Sequence, residues 1–296
     1  MTTTIKFRKW VVEKPVGALV LVHGMGAGTE RWESLAEYFL SKNISSYALS
    51  LRGFDGTGGE KGYVDSFETY HSDIKQLFDI ARREVPLGKI FLLGESMGAL
   101  IAFDHASRDS LNFDGYVLIS PAFGSKLKFA PHTYLLILLA MFFFPRKQFK
   151  MPFNVRMCTS DGEEIKKIEK DPAEHRYATG RLLFEIFKKQ VGAGKLAKKI
   201  KSPGLFLLST DDEIADPARS EKIFSFVPGT KAIGKVSPAH ASKCPHGEGL
   251  GHIGVRHQRC QAPGSKLKKY SGMKHALSVE AGRERIFRDI YEWGWQ

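Results

Sequence analysis

The stretch Ile90-Phe91-Leu92-Leu93-Gly94-Glu95-Ser96-Met97-Gly98 runs from an apolar segment into a helix-forming one over residues 99–107. It is a G-x-S-x-G element between a predicted strand and a predicted helix. In that setting the serine sits on a sharp, strained elbow with its hydroxyl exposed, and the flanking glycines let the backbone turn without a Cβ clash. In a chain with 29 glycines the five-residue pattern alone carries little. Its strand–turn–helix context makes a nucleophilic serine hydrolase the leading reading, against a serine in an ordinary tight turn.

Outward from this elbow, short apolar runs alternate with amphipathic segments, as in a mostly parallel sheet with helices on both faces. The predicted strands are 18–22, 46–51, 89–93, 116–120, 205–209 and 267–270. Between them, Phe67, Tyr70, Ile74, Leu77, Phe78 and Ala81 recur at three- and four-residue spacing, a helical stripe for core packing in which Tyr70 needs no functional role. A last helix is predicted over 279–293. The rhythm breaks between residues 122 and 203. That stretch holds Pro131, Pro145, Pro152 and Pro172, helical segments near 163–170 and 181–189, and no convincing buried strand. An insertion after a core strand reads as a helical cap over the strand ends, where open α/β sheets place their ligands. The expected organisation is a core in two parts, 1–121 and 203–296, with the cap at 122–202.

Composition narrows the class. Hydrophobic residues make up 43% of the 296, ordinary for a globular protein with one large core. The first ten residues lack the apolar core of a signal peptide, and three scattered cysteines (Cys158, Cys244, Cys260) suggest free thiols rather than a disulfide framework. A cytoplasmic protein is the expectation. The longest apolar run, 134–144, spans roughly 16 Å as a helix, short of a bilayer core of about 30 Å. Two readings stay open for it: burial against the sheet, or an apolar surface that touches lipid. The net charge is +12, with lysines clustered at Lys188, Lys189, Lys195, Lys198, Lys199 and Lys201, and at Lys266, Lys268 and Lys269. No aromatic-interleaved or zinc-finger pattern points to nucleic acid, so a solvated basic face is the simpler reading, with peripheral contact to an anionic membrane as its rival.

A serine needs a base to take its proton and donors to hold the oxyanion. For a serine on this kind of elbow the chain order is Ser, then Asp or Glu, then His. Predicted strand 205–209 runs into Thr210-Asp211-Asp212-Glu213-Ile214-Ala215-Asp216, and His275 follows the last predicted strand. The chain resembles the monoacylglycerol lipase and lysophospholipase branch of the α/β-hydrolase fold (serine aminopeptidase S33-type hydrolases). The resemblance rests on Leu19-Val-Leu-Val-His-Gly-Met-Gly26, Leu51-Arg-Gly-Phe54, Gly62-Tyr-Val-Asp-Ser-Phe67, Gly94-Glu-Ser-Met-Gly98, Cys158-Thr-Ser-Asp161 with Asp171-Pro172, Asp211-Asp-Glu-Ile214 and Tyr270 to His275.

That resemblance implies Ser96 as nucleophile, His275 as general base and then acid, and Asp212, preferred over Asp216, as the group orienting His275. It implies an oxyanion hole from the backbone N–H groups of Met25 and Met97, no cofactor or metal, and a lipid ester as substrate. Asp211 and Glu213 are expected as solvated neighbours, His23 as a brace for the oxyanion turn, and His71 and His105 as ordinary surface residues. Two departures stand out: Glu95 replaces the histidine common before the serine, a position without catalytic duty, and Arg52-Gly53-Phe54-Asp55 replaces Arg-Gly-His-Gly. The stretch 228–264 has no counterpart in the resemblance. It contains seven glycines, four prolines, one acid and no aromatic, and reads as a loop dispensable for the sheet. Its Cys244, His246, His252, His257 and Cys260 match no standard zinc spacing. The competing functions are another esterase, a thioesterase or an acyltransferase of the same fold, or a non-catalytic ligand binder.

Overall fold

The computed structural model describes residues 4–109, 112–229 and 264–296. The loop reading for 228–264, with Cys244, His246, His252, His257 and Cys260, therefore falls almost wholly outside the described residues. In chain order the elements are β1 (Phe7–Trp10), β2 (Gly17–Val22), α1 (Glu33–Leu40), β3 (Ile44–Leu49), α2 (Phe67–Glu84), β4 (Lys89–Glu95), α3 (Met97–Arg108) and β5 (Gly115–Ile119). Then come α4 (Pro131–Phe143), β6 (Gln148–Lys150), α5 (Val155–Cys158), α6 (Gly162–Lys170), β7 (Tyr177–Thr179) and α7 (Gly180–Ala197). The chain closes with β8 (Gly204–Ser209), α8 (Pro217–Phe224), β9 (Lys266–Tyr270) and α9 (Glu284–Trp295).

Seven strands form one sheet in the order β1-β3-β2-β4-β5-β8-β9, parallel throughout except for β1, which pairs antiparallel with β3. Strands β2, β4, β5 and β8 are apolar on both faces because each face is covered. In β2, Ala18, Val20 and Val22 pack on the side of α2, α3 and α7, while Leu19 and Leu21 pack on the side of α1 and α9. The α2 stripe is buried along its whole length, and each large side chain so placed contributes about 1.5–3 kcal/mol by removal from water. Ser66 caps α2 by accepting from the Glu68 N–H at 3.2 Å.

The segment between β5 and β8 adds no strand to the seven-stranded sheet, and it is not purely helical. β6 and β7 pair antiparallel with Gln148 opposite Thr179. Their three-residue length and exposed residues hide them from pattern reading. A second correction concerns α3. The helix is buried from Met97 to Ala106, so His105 is buried, and so is His71 on α2. Helix α7 covers this region, and its Lys189 reaches Asp104 at 2.7 Å while His71 Nε2 donates to the same carboxylate at 2.6 Å. Lys189 is thus part of a buried pair rather than of the basic surface.

Candidate active site

The elbow is built as the glycines require. Ser96 has φ +57° and ψ −118°, a conformation that strains a residue with a Cβ. A Cβ on Gly94 would lie 2.3 Å from the Gly98 carbonyl oxygen, and one on Gly98 would lie 2.1 Å from the Val22 carbonyl oxygen. The turn is held by the Ser96 N–H donating to Ile119 O at 2.9 Å and the Ala122 N–H donating to Ser96 O at 3.1 Å.

Ser96, Asp212 and His275 follow the carboxyl ends of β4, β8 and β9 and meet there. Ser96 Oγ lies 2.8 Å from His275 Nε2, and His275 Nδ1 lies 2.7 Å from Asp212 Oδ2. A carboxylate only accepts, so Nδ1 carries the proton and Nε2 faces the serine hydroxyl as acceptor. Asp212 is fixed in turn: its Oδ1 accepts from the N–H groups of Ile214 and Ala215 at 2.8 and 2.9 Å. Burial opposes charge on His275, but the adjacent Asp212 outweighs it and raises its pKa above the ordinary 6.5. The other acids lie elsewhere. Asp216 caps α8 through the Ala218 N–H, Asp211 accepts from Gly272 N–H, and exposed Glu213 pairs with Lys274.

Met25 and Met97 line the same cavity as Ser96. The Met97 N–H belongs to the first turn of α3 and has no intrahelical acceptor. His23 sits beneath this turn, donating from Nδ1 to Gly24 O at 2.8 Å and accepting at Nε2 from Leu51 N–H at 3.1 Å. Burial holds its pKa down to about 4, so it stays neutral and braces the turn. The departing loop Arg52–Asp55 contacts the insertion: Phe54 stacks on His175 at 4.9 Å, and His175 Nε2 donates to Gly53 O.

The cavity above Ser96 has a volume of about 280 Å³. Its apolar wall comes from the insertion, including Phe129, Ile137, Met141, Phe153, Leu183 and Ile186. Its charged groups are committed. Arg31 pairs with Glu174 of the insertion at 2.8 Å, and Glu95 accepts from Ser278. Burial raises the Glu174 carboxyl against the pull of Arg31.

Sequence reasoning missed the clamp around His275. The buried carboxylate of Glu280 accepts from the N–H groups of Lys274 at 2.8 Å and Ser160 at 2.9 Å, while Ala276 N–H donates to Cys158 O. The first part of the insertion is thereby fastened to the histidine loop. No periodicity marks Glu280, and its partner in the insertion, Ser160, lies 120 residues away in the chain.

A strained serine closing the fourth strand of such a sheet, with an acid and a histidine arriving from the last two strands, is the architecture of the α/β-hydrolases, and this chain is one of them. Residues 13–238 match the family described as Serine aminopeptidase, S33, to which the chain belongs. It is 27% identical over 282 residues to a monoglyceride lipase homolog of Monkeypox virus, covering 94% of this chain and 89% of that protein. It is 25% identical over 221 residues to the phospholipase YtpA of Bacillus subtilis, covering 74% and 84%. Among solved structures, the monoacylglycerol lipase of Paleococcus ferrophilus superposes with a TM-score of 0.78 at 22% identity, covering 98% of both chains.

Proposed function

We propose that this hydrolase cleaves carboxylic esters of single-chain lipids, a monoacylglycerol or a lysophospholipid, through an acyl-enzyme on Ser96. The observation that carries the reading is the Ser96–His275–Asp212 hydrogen-bonded chain at the floor of an apolar cavity. Ser96 Oγ attacks the ester carbonyl as His275 Nε2 takes its proton, and the N–H groups of Met25 and Met97 hold the oxyanion. His275 then protonates the departing alkoxide, which leaves as the alcohol. Water, deprotonated by His275, releases the fatty acid and returns the proton to Ser96. The insertion acts as a cap whose apolar wall receives the acyl chain. The family description names aminopeptidases, but a peptide's ammonium group needs a free carboxylate, and Glu95 and Glu174 in this cavity are both engaged.

A fluorophosphonate probe tests the chemistry. The expected result is labelling of the native chain and none of Ser96→Ala; an unlabelled, folded native chain overturns the reading. Hydrolysis rates on monoacylglycerols, lysophospholipids and short p-nitrophenyl esters then rank the head group and chain length.

Peripheral contact with a membrane belongs to the same proposal. No helix among the described residues is long and apolar enough to cross a membrane. Helix α4 buries only Ile137 and Ala140 and leaves Leu135, Leu138, Leu139, Phe142 and Phe143 exposed, the last by 70%. Exposed Lys128 precedes it and exposed Lys147 and Lys150 follow it. This favours an apolar face laid into an anionic bilayer surface. Replacing Leu135, Leu139, Phe142 and Phe143 together with serine is expected to weaken co-sedimentation with anionic vesicles by at least ~10-fold, since each lost apolar side chain removes a kcal/mol or more. Unchanged sedimentation sinks the membrane contact.

A further inference from the structure

We infer that Glu95, the residue before the serine, is a positioning residue that fixes the loop carrying His275 against the elbow. The inference rests on the hydrolase reading of the site. Glu95 ends β4 and is buried, 5% exposed, in a position where neither the sheet nor the helices require an acid. Its two oxygens have separate partners on one residue: Oε1 accepts from the Ser278 N–H at 3.1 Å, and Oε2 accepts from the Ser278 hydroxyl at 2.8 Å. Ser278 lies three residues after His275, in a short 3-10 turn over Leu277–Val279 that is itself buried. One side chain thus joins the strand end bearing the serine to the loop bearing the histidine, across 183 residues of sequence.

The placement matters because the 2.8 Å contact between Ser96 and His275 is set by two independent loops. His275 is otherwise held by Asp212 on its ring and by the insertion through Met157 O and Cys158 O. Besides the Ser96–His275 bond itself, the Glu95–Ser278 contact refers the histidine loop directly to the elbow. A displacement of about 1 Å at reacting atoms costs on the order of 100-fold in rate, so a two-point tether here acts on turnover rather than on binding.

Burial raises the pKa of the Glu95 carboxyl above its ordinary value, against the pull of the two Ser278 hydrogen bonds, His275 and Arg31. In its ionised form it places negative charge near the imidazole. The charged groups that bear on His275 are Asp212 from the turn after β8, Glu95 from β4 and Arg31 from the turn after β2. The two acids favour the imidazolium and Arg31 opposes it. The tether and the charge are separable by substitution. In Glu95→Gln the amide oxygen still accepts from the Ser278 N–H, and the amide NH2 donates to the Ser278 hydroxyl, which turns to accept. Glu95→Gln therefore keeps both contacts and removes the charge, Glu95→Ala removes everything, and Ser278→Ala removes one contact and keeps the charge.

Steady-state hydrolysis of a p-nitrophenyl ester from pH 5 to 9, with fluorophosphonate labelling rates and melting temperature for each variant, tests the assignment. The expected kcat loss is ~10- to 100-fold for Glu95→Ala and ~3- to 10-fold for Ser278→Ala, with KM within about 2-fold, as for a contact that serves the transition state. Glu95→Gln is expected to stay within ~3-fold of the native kcat, because both contacts to Ser278 are kept. If Glu95→Ala does not fold, the contrast between Glu95→Gln and Ser278→Ala decides. A folded Glu95→Ala with native kcat, or a Glu95→Gln as slow as Glu95→Ala, overturns the positioning role alone. A native chain that the probe fails to label overturns the hydrolase reading, and the assignment with it.

Discussion

Ser96→Ala and His275→Ala are each expected to lower kcat for an ester substrate by about 10⁶-fold, and the double variant to fall no further. Proton removal from Ser96 Oγ and attack by that oxygen are one event, so losing either partner loses both. Asp212→Asn is expected to cost less, about 10⁴-fold. An amide in place of the carboxylate presents an NH2 group to Nδ1, favours the tautomer with the proton on Nε2, and leaves the serine hydroxyl without an acceptor. Asp212→Asn should still be slowly labelled by a fluorophosphonate, whereas Ser96→Ala should not be labelled at all. Additive losses in the Ser96–His275 double variant would break the argument. The pH profile carries a further sign. Only neutral His275 accepts the serine proton, and Asp212 raises the imidazole pKa above 6.5. Activity is therefore expected to rise with pH through a limb lying above 6.5, and a limb clearly below 6.5 contradicts the geometry.

Strands β4 and β8, which carry Ser96 and Asp212, are legible because they are apolar on both faces, and runs such as Ile90–Leu93 have no amphipathic alternative. β1 is not, because it is an edge strand with mostly half-buried residues, and neither are β6 and β7, three residues each. Within the site, Ser96, Asp212 and His275 could be read because each stands at a strand end beside punctuating residues. Glu95, Glu280 and the Arg31–Glu174 pair could not. The Glu280–Ser160, Arg31–Glu174 and Glu95–Ser278 contacts span 120, 143 and 183 residues, and local sequence holds no trace of such contacts. The burial of His105 does have a signal in the sequence. Leu100, Ile101, Ala102 and Phe103 are consecutive apolar residues in α3, and a helix apolar all round is a buried one.

Asp104→Ala is expected to destabilise the fold by about 3–5 kcal/mol, the typical loss when one partner of a buried ion pair is removed. Asp104 is fully buried on α3, and it accepts from His71 of α2 and Lys189 of α7. Burial alone would keep its carboxyl protonated, but these two donors outweigh it and hold the pKa down to about 2. Without the carboxylate, the buried Lys189 ammonium loses its ion-pair partner, with His71 beside it. Replacing both Asp104 and Lys189 with Leu and Met is expected to recover most of the loss, because no charge is then stranded. A double variant as unstable as Asp104→Ala would refute the stranded-charge account. Acid should act on the same region in two stages. His105 is buried neutral with its pKa lowered to about 4, so the unfolded chain binds its proton first, and stability falls as pH drops from 6.5 toward 4. That slope is at most about 1.4 kcal/mol per pH unit for each such histidine, and buried His23 adds its own share over the same window. Asp104 contributes fully above its unfolded value of 3.8 and is lost only as pH falls toward 2. Thermal melts between pH 7 and 4 should therefore lose stability before Asp104 titrates at all. Because Lys189 sits on the helix that also lines the cavity through Ile186 and Leu183, loosening this pair is expected to loosen the wall above Ser96 as well.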